Sequence, residues 1–133
     1  MINENTKTLI MLRLKRAKDS LNSAVLLLNA DFCKDASIFS YYTILHAMRA
    51  MLIADGFDSK KQTEIITGFG KNYIKNNIFP KDFSVMIGET YDMMVSCEYD
   101  AFFIIAKEDV ALQIENAKTI LAAIEAYIAT LID

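Results

Sequence analysis

The chain has 133 residues, a formal net charge of -3 and an apolar fraction of 53%. This length predicts one domain with its own core, and the composition excludes a disordered chain and a basic nucleic-acid-binding domain. Glycine (4) and proline (1) are scarce, and most segments lack the alternation typical of strands. We therefore predict an all-α fold in a single domain over residues 1–133.

The first two predicted helices occupy the N-terminal half. The first extends from about Thr6 to Leu28, with Asn5 or Thr6 as its cap. Four basic side chains lie mostly off its apolar stripe: Arg13, Lys15, Arg16 and Lys18. The second helix extends from about Asp35 to Asp55, and Gly56 is its stop signal.

Three further helices follow. Ser59 to Gln62 fits a capping box, which starts a third helix near Lys60. Pro80 suits the first turn of a fourth helix. The segment 99–105 is apolar and irregular, so we expect a packed connection in which Tyr99 is a buried anchor. The fifth helix has the clearest stripe: Val110, Ile114, Ala117, Leu121, Ile124, Ile128 and Leu131.

Short connections between these helices predict an antiparallel up-and-down bundle of five helices. The four long helices would form a four-helix core, and the short third helix would cross it. Nothing in the sequence suggests an internal repeat or a linker that divides the domain.

The second helix carries the polar residues of greatest interest, within the stretch SIFSYYTILHAMRAMLI at 37–53. Residues three and four apart share a helix face, so Tyr42, His46 and Arg49 line up beside the buried seam. Three interpretations are open: amphipathic side chains flanking the core, a protein interface, or a ligand site. In a ligand site, Tyr stacks a base, Arg holds a phosphate and His binds either.

Charge is unevenly distributed along the chain. Residues 1–61 hold 9 Lys/Arg and 6 Asp/Glu, whereas residues 62–133 hold 5 and 11. The basic half can meet a nucleic acid or an acidic partner, and the alternative is a solvated surface.

Several chemistries are excluded by the residue inventory. The single histidine and two distant cysteines, Cys33 and Cys97, form no tetrahedral zinc set. Thr43 precedes His46 by three residues, so the Glu-x-x-His motif of di-iron bundles is absent. We expect no metal and no cofactor. The cysteines are expected to be reduced thiols of a cytoplasmic protein, and no apolar stretch is long enough to span a membrane.

The methionine-rich parts of the second and fourth helices suggest an interface. Met48, Met51, Met93 and Met94 are candidates, because exposed methionines suit adaptable contacts and the two helices would pair in a homodimer. The alternative is that these side chains form an internal, methionine-rich core.

Four stretches together resemble the HEPN domain family. They are DASIFSYYTILHAMRAMLIADGF, QTEIITGFGKNYIKNNIFP, CEYDAFF and EDVALQIENAKTILAAIEAYI, and they cover most of the chain from about residue 8 to 131. The resemblance implies a helical bundle that is often a homodimer. It also implies a metal-independent ribonuclease, commonly encoded beside a minimal nucleotidyltransferase as toxin and antitoxin.

The sequence departs from the family pattern at its polar positions. The ribonuclease motif has an arginine and a histidine with four to six residues between them, but positions 39–41 before His46 are Phe, Ser and Tyr. Gln62 stands where the family has a second histidine, and Met94 where it has an arginine. Metal-free RNA cleavage needs a base and positive charge at the phosphorane, so we expect little or no catalysis.

Three functional hypotheses follow. In the first, the chain is a non-catalytic interaction or binding protein, and no residue is assigned as catalytic. It would belong to a toxin–antitoxin or nucleotidyltransferase-associated system, with a nucleotidyltransferase-type protein as its partner. The second is a weak ribonuclease that uses the second helix. The third is an RNA- or nucleotide-binding module using Tyr42, His46 and Arg49, with the basic face of the first helix. Tyr99 is a further candidate for ligand binding.

Overall fold

The computed structural model describes residues 2–132, and all of its regular structure is helical. The elements are α1 Glu4–Asn29, α2 Cys33–Ala54, α3 Gln62–Phe69, a π-helical turn Gly70–Ile74, α4 Asp82–Tyr99 and α5 Lys107–Leu131. The predicted all-α fold with five helices is confirmed.

Helix α2 lies at the centre of the bundle and packs against α1, α3, α4 and α5. Helix α5 closes the bundle by packing against α1 and α4 as well. Because α2 has neighbours on most sides, twelve of its residues are buried, and its largest fully buried side chains include Tyr41, Ile44 and Met48. The side of α2 that stays partly open therefore carries Tyr42, His46 and Arg49.

Helix α1 begins two residues earlier than predicted, because Asn3 is its cap. The Asn3 Oδ1 accepts a hydrogen bond from the Thr6 backbone N–H at 2.8 Å. The assignment of Asn5 or Thr6 as the cap was wrong. Both side chains are already inside the helix, where they cannot accept from the first free N–H groups.

The start of α3 also differs from the prediction. The Ser59 hydroxyl donates to Glu64 Oε1 at 2.6 Å and accepts from the Lys61 N–H at 3.0 Å, so it stabilises the turn before the helix. Gln62 is the first helical residue, and its Oε1 accepts from the Tyr41 hydroxyl at 3.1 Å. The prediction of a capping box was therefore wrong, because the Gln62 side chain accepts a hydrogen bond from α2 and does not cap α3.

The turn after α2 depends on Gly56, which has a φ of +81° and no atom within 4 Å of the place where a Cβ would lie. We expect Gly56→Ala to lower the free energy of unfolding by about 1 kcal/mol, because an L side chain is strained there even though space is available. The control is Gly70→Ala, since Gly70 has helical dihedrals and equally open surroundings. That change is expected to leave stability unchanged or raise it. Equal losses in urea denaturation would contradict this account.

The connection between α4 and α5 is packed only in part, contrary to prediction: Phe103 and Ile105 are half-buried, and Ile105 packs against the core. Tyr99 is 80%, Phe102 93% and Ile104 90% exposed. Asp100 fixes a turn here: its Oδ1 accepts from the Phe102 N–H at 3.0 Å, and its backbone oxygen accepts from Lys34 Nζ at 3.4 Å. The turn leaves Tyr99, Phe102 and Ile104 in solvent, so Tyr99 is not a buried anchor.

The methionine prediction needs a similar correction. Met48, Met51 and Met94 are 0%, 1% and 5% exposed, so these three interface candidates are core residues and offer no surface to a partner. Only Met93 is partly exposed. The methionines fill the space around the central helix, where a flexible side chain adapts to an irregular gap.

None of the helices in the described part of the chain combines the length and the apolar character that a membrane crossing requires.

Candidate functional site

Helices α1 and α2 bring basic side chains together on one surface. Arg13 and Arg16 are one turn apart on α1, and His46 and Arg49 are one turn apart on α2. Arg13 Nη1 donates to the backbone oxygen of Arg49 at 3.4 Å, which joins the two helices at this point. We call these four residues the arginine face.

Asp58 lies against the arginine face from the connection between α2 and α3. Its Oδ2 is 2.9 Å from Arg13 Nη2, and its Oδ1 is 3.3 Å from Arg49 Nη2. The hydrogen bond from Arg13 is the main cause that holds the pKa of this carboxyl below its usual range, so Asp58 is ionised at neutral pH.

Two guanidinium groups of the arginine face, those of Arg16 and Arg49, have unused donors. Arg16 is exposed, and its guanidinium has no hydrogen-bond or ion-pair partner among residues 2–132. Arg49 Nε is buried, and no acceptor in the described structure reaches it. A buried N–H without an acceptor is costly, so an anion or an ordered water that reached this nitrogen would stabilise the face.

His46 is half-buried beside these arginines. Burial is the largest cause that lowers the pKa of His46 to about 4, and the positive charges of Arg16, Arg49 and Arg13 lower it further. The imidazole is therefore neutral at pH 7. It contributes no charge of its own, but it can donate one hydrogen bond and accept another.

We expect the imidazole resonances of His46 to titrate with a midpoint near 4 in proton NMR. Inorganic phosphate bound to the face should raise that midpoint, because its negative charge offsets the arginines. The unfolded state binds this proton near pH 6.5, so His46 weakens folding as the pH falls from about 6.5 to about 4. The control is Arg16→Ala, which should also raise the midpoint. A midpoint near 6.5 would contradict the described environment.

Tyr42 extends the site along α2. Its ring centroid lies 6.2 Å from that of His46 and 6.0 Å from that of Phe39, edge-on to the latter. Tyr42 is half-buried, so the ring is fixed by its neighbours while part of it stays open to solvent. A fixed, partly open aromatic ring beside guanidinium groups can stack a base.

Tyr99 does not belong to this group of residues. It ends α4 beside Asp100, which Lys34 contacts at the first turn of α2. Lys34 and Arg49 are separated by fifteen residues of α2, or roughly 22 Å of helix. The structure therefore brings together Tyr42, His46 and Arg49, and it places Tyr99 on the exposed α4–α5 connection.

Two components of the site were not predicted. Asp58 had no recognisable signal, because it lies in a turn and its partners come from two different helices. The involvement of Arg13 and Arg16 was foreseen only as a general basic face of the first helix. Their spacing of three residues puts both on one helix face, but Lys15 and Lys18 have the same spacing, so the sequence alone does not single out the two arginines.

A second polar cluster lies inside the bundle and is structural. The Ser37 hydroxyl donates to Gln113 Oε1 at 2.8 Å, which links α2 to α5, and both residues are buried. Burial also raises the pKa of the neighbouring Cys97 thiol, so this thiol is protonated and unreactive at neutral pH. Among residues 2–132, no three His, Cys, Asp or Glu side chains are grouped closely enough to hold a metal ion.

Comparison with known proteins gives one family match. The model of the HEPN domain matches residues 10–127, which include α2, α3 and α4 and most of α1 and α5. The solved structure of TT1696 from Thermus thermophilus is similar in fold, with a TM-score of 0.75 over 88% of this chain and 96% of that one. The two sequences are only 14% identical, so this likeness concerns the fold alone.

Three relatives are similar in sequence. "Putative toxin MJ0142" of Methanocaldococcus jannaschii is 28% identical over 72% of this chain and 65% of that protein, just under two thirds of its length. "Putative toxin MJ0605" of the same organism is 22% identical over 74% of each. A "UPF0332 protein" of Thermotoga maritima is 25% identical over 96% of both chains.

Proposed function

This chain belongs to the HEPN family, and we propose that it is a non-catalytic member that binds the phosphates of RNA or of a nucleotide. The arginine face would be the binding site, and Tyr42 would stack a base beside it. The observation that carries this proposal is the convergence of three arginines from two helices around a neutral histidine.

Arginine suits this task because its planar group donates two parallel hydrogen bonds to a phosphate. Arg16 is open to solvent, so a ligand can reach it without a rearrangement of the bundle. The hydrogen bond from Arg13 to the backbone of α2 fixes the distance between the two helices at the arginine face. A rigid, preformed group of donors loses little entropy when the ligand binds.

The surroundings of His46 argue against efficient RNA cleavage. A general base works best when its pKa lies near the operating pH, and a pKa of about 4 makes this imidazole a weak base at pH 7. The same value leaves almost none of it protonated to act as an acid. The alternative function, a weak ribonuclease, would have to rely on this poorly matched group.

A role in protein binding is a second candidate function. Tyr99, Phe102 and Ile104 expose most of their apolar surface, and Phe32 on the α1–α2 connection is 58% exposed and lines the same cavity as Ile104. Contiguous exposed apolar side chains mark interaction sites in many soluble proteins. This surface would serve a homodimer contact, with Met93 as a further candidate, or a nucleotidyltransferase-type partner. The relatives named as toxins support a toxin–antitoxin setting.

The direct test of the main proposal is fluorescence anisotropy with a labelled single-stranded RNA. We expect saturable binding that weakens steeply with salt, because bound cations are released from the RNA. Binding that does not respond to salt, or no binding at low salt, would refute the proposal. Native mass spectrometry of the purified protein would test the second candidate by detecting a dimer or a bound protein.

A further inference from the structure

Asp58 occupies the donors that a phosphate would use. One carboxylate oxygen faces Arg13 and the other faces Arg49, so the group bridges the two guanidiniums as a phosphate would. The Arg13 side chain is only 14% exposed and that of Arg49 28%, whereas the Asp58 side chain is 42% exposed. The carboxylate therefore lies outermost, between the two arginines and the solvent.

We propose that Asp58 is a built-in competitor for the arginine face, which makes the face select terminal phosphate groups over internal phosphodiesters. This inference rests on the proposed phosphate binding, and it adds the regulation and the preferred ligand of the same site.

The selection follows from a comparison of charges. A ligand that reaches Arg13 and Arg49 has to displace one carboxylate, which carries a single negative charge. An internal phosphodiester also carries one charge, so the exchange gives little electrostatic gain. A terminal phosphomonoester carries about 1.5 to 2 negative charges and three acceptor oxygens at pH 7, so it displaces the carboxylate more effectively.

The Asp58 side chain is able to move away from the arginine face because few other contacts hold it in place. It lies in the connection between α2 and α3, and the Ser59 N–H donates to its Oδ1 at 2.9 Å. The Asp58 side chain is 42% exposed, and water competes for its contacts with the two arginines, so these contacts can be exchanged for contacts with a ligand. Asn at this position keeps an oxygen for the Ser59 N–H and removes the charge.

The opposing possibility is that Asp58 positions the arginines for the ligand. The two roles predict opposite changes in affinity, because removal of a competitor strengthens binding and removal of a positioning group weakens it. Asp19→Asn is the matched control. It makes the same change in net charge on an exposed residue that pairs with Lys15 at 2.9 Å.

The experiment measures two six-nucleotide RNAs, with and without a 5′-phosphate, against the full chain and its variants by anisotropy. We expect the native protein to bind the phosphorylated RNA several-fold more tightly. Asp58→Asn should bind both RNAs more tightly, by about tenfold for the unphosphorylated one, and the preference should shrink. Asp19→Asn should gain much less and keep the preference.

Each other result overturns the inference. Weaker binding by Asp58→Asn would make Asp58 a positioning residue, and a gain equal to that of Asp19→Asn would make it an ordinary surface charge. An unchanged preference in Asp58→Asn would remove the selection of terminal phosphates. If the native protein binds neither RNA, or if Arg16→Ala binds as tightly as the native protein, the proposed function itself fails. If binding depends on Arg16 but not on Asp58, only the inference fails.

Discussion

Replacement of Arg16 by alanine is expected to weaken RNA binding by about tenfold at low salt. The slope of log affinity against log salt should fall by about 0.7, the contribution of one phosphate contact with a single strand. Arg16 is the exposed guanidinium of the arginine face that no other described residue engages, so its whole charge is available to a ligand.

The folded state should tolerate this change well. The side chain is exposed, and alanine is a strong helix former inside α1. Arg13 and Arg49 are less suitable for this test. Their side chains are largely buried and bridge to Asp58, so removing either one would also disturb the fold.

Lys15→Ala is the matched control for Arg16→Ala. Lys15 is the adjacent residue, about 100° away around the helix, and it already pairs with Asp19. Both variants lose one positive charge, so a general charge effect would weaken binding equally in the two. An equal loss would place the RNA elsewhere on the basic half of the chain, and the arginine face would then not be the binding site.

Truncation of Phe69 to alanine is expected to lower the free energy of unfolding by about 3–5 kcal/mol. Phe69 is completely buried, and its ring stacks on that of Phe79 with centroids 5.5 Å apart and also lies 5.3 Å from that of Tyr73. The change removes this packing and leaves a cavity where α3 joins the π-helical turn.

Phe102→Ala makes the same chemical change at a residue that is 93% exposed. Its cost should be within about 0.5 kcal/mol, because the side chain has little packing to lose. Urea denaturation followed by circular dichroism measures both variants. A large loss for Phe102→Ala would mean that Phe102 is packed in solution, which would contradict the structure and remove the surface proposed for a partner protein.

The helices could be predicted because their apolar residues repeat at the helical period. In α5, Val110, Ile114, Leu121, Ile124 and Ile128 are all buried, as the stripe predicted, and Leu131 at the end of the helix is exposed instead. The capping box failed because a short motif does not reveal that Gln62 can reach Tyr41 on another helix. The prediction that Tyr99 is buried in the α4–α5 connection failed because hydrophobicity alone does not determine burial. Burial also needs a neighbouring element with an open surface.

The candidate site could be predicted only within α2, where local geometry brings Tyr42, His46 and Arg49 onto one side. Its other half depends on how α1 lies against α2, and on a turn that places Asp58 over two arginines. Such contacts join residues 36 and 45 positions apart, and no local pattern records them. The buried methionines show the same limit, since burial depends on all the helices around α2.

The proposal that this HEPN protein holds RNA on the arginine face without cutting it can be tested in one sample, in which binding and RNA integrity are measured together. A labelled RNA is titrated with the protein at low salt, and the same mixture is then separated on a denaturing gel. We predict binding that Arg16→Ala weakens, with the RNA intact after prolonged incubation. Cleavage that is abolished by His46→Ala would contradict the claim and make the protein a ribonuclease.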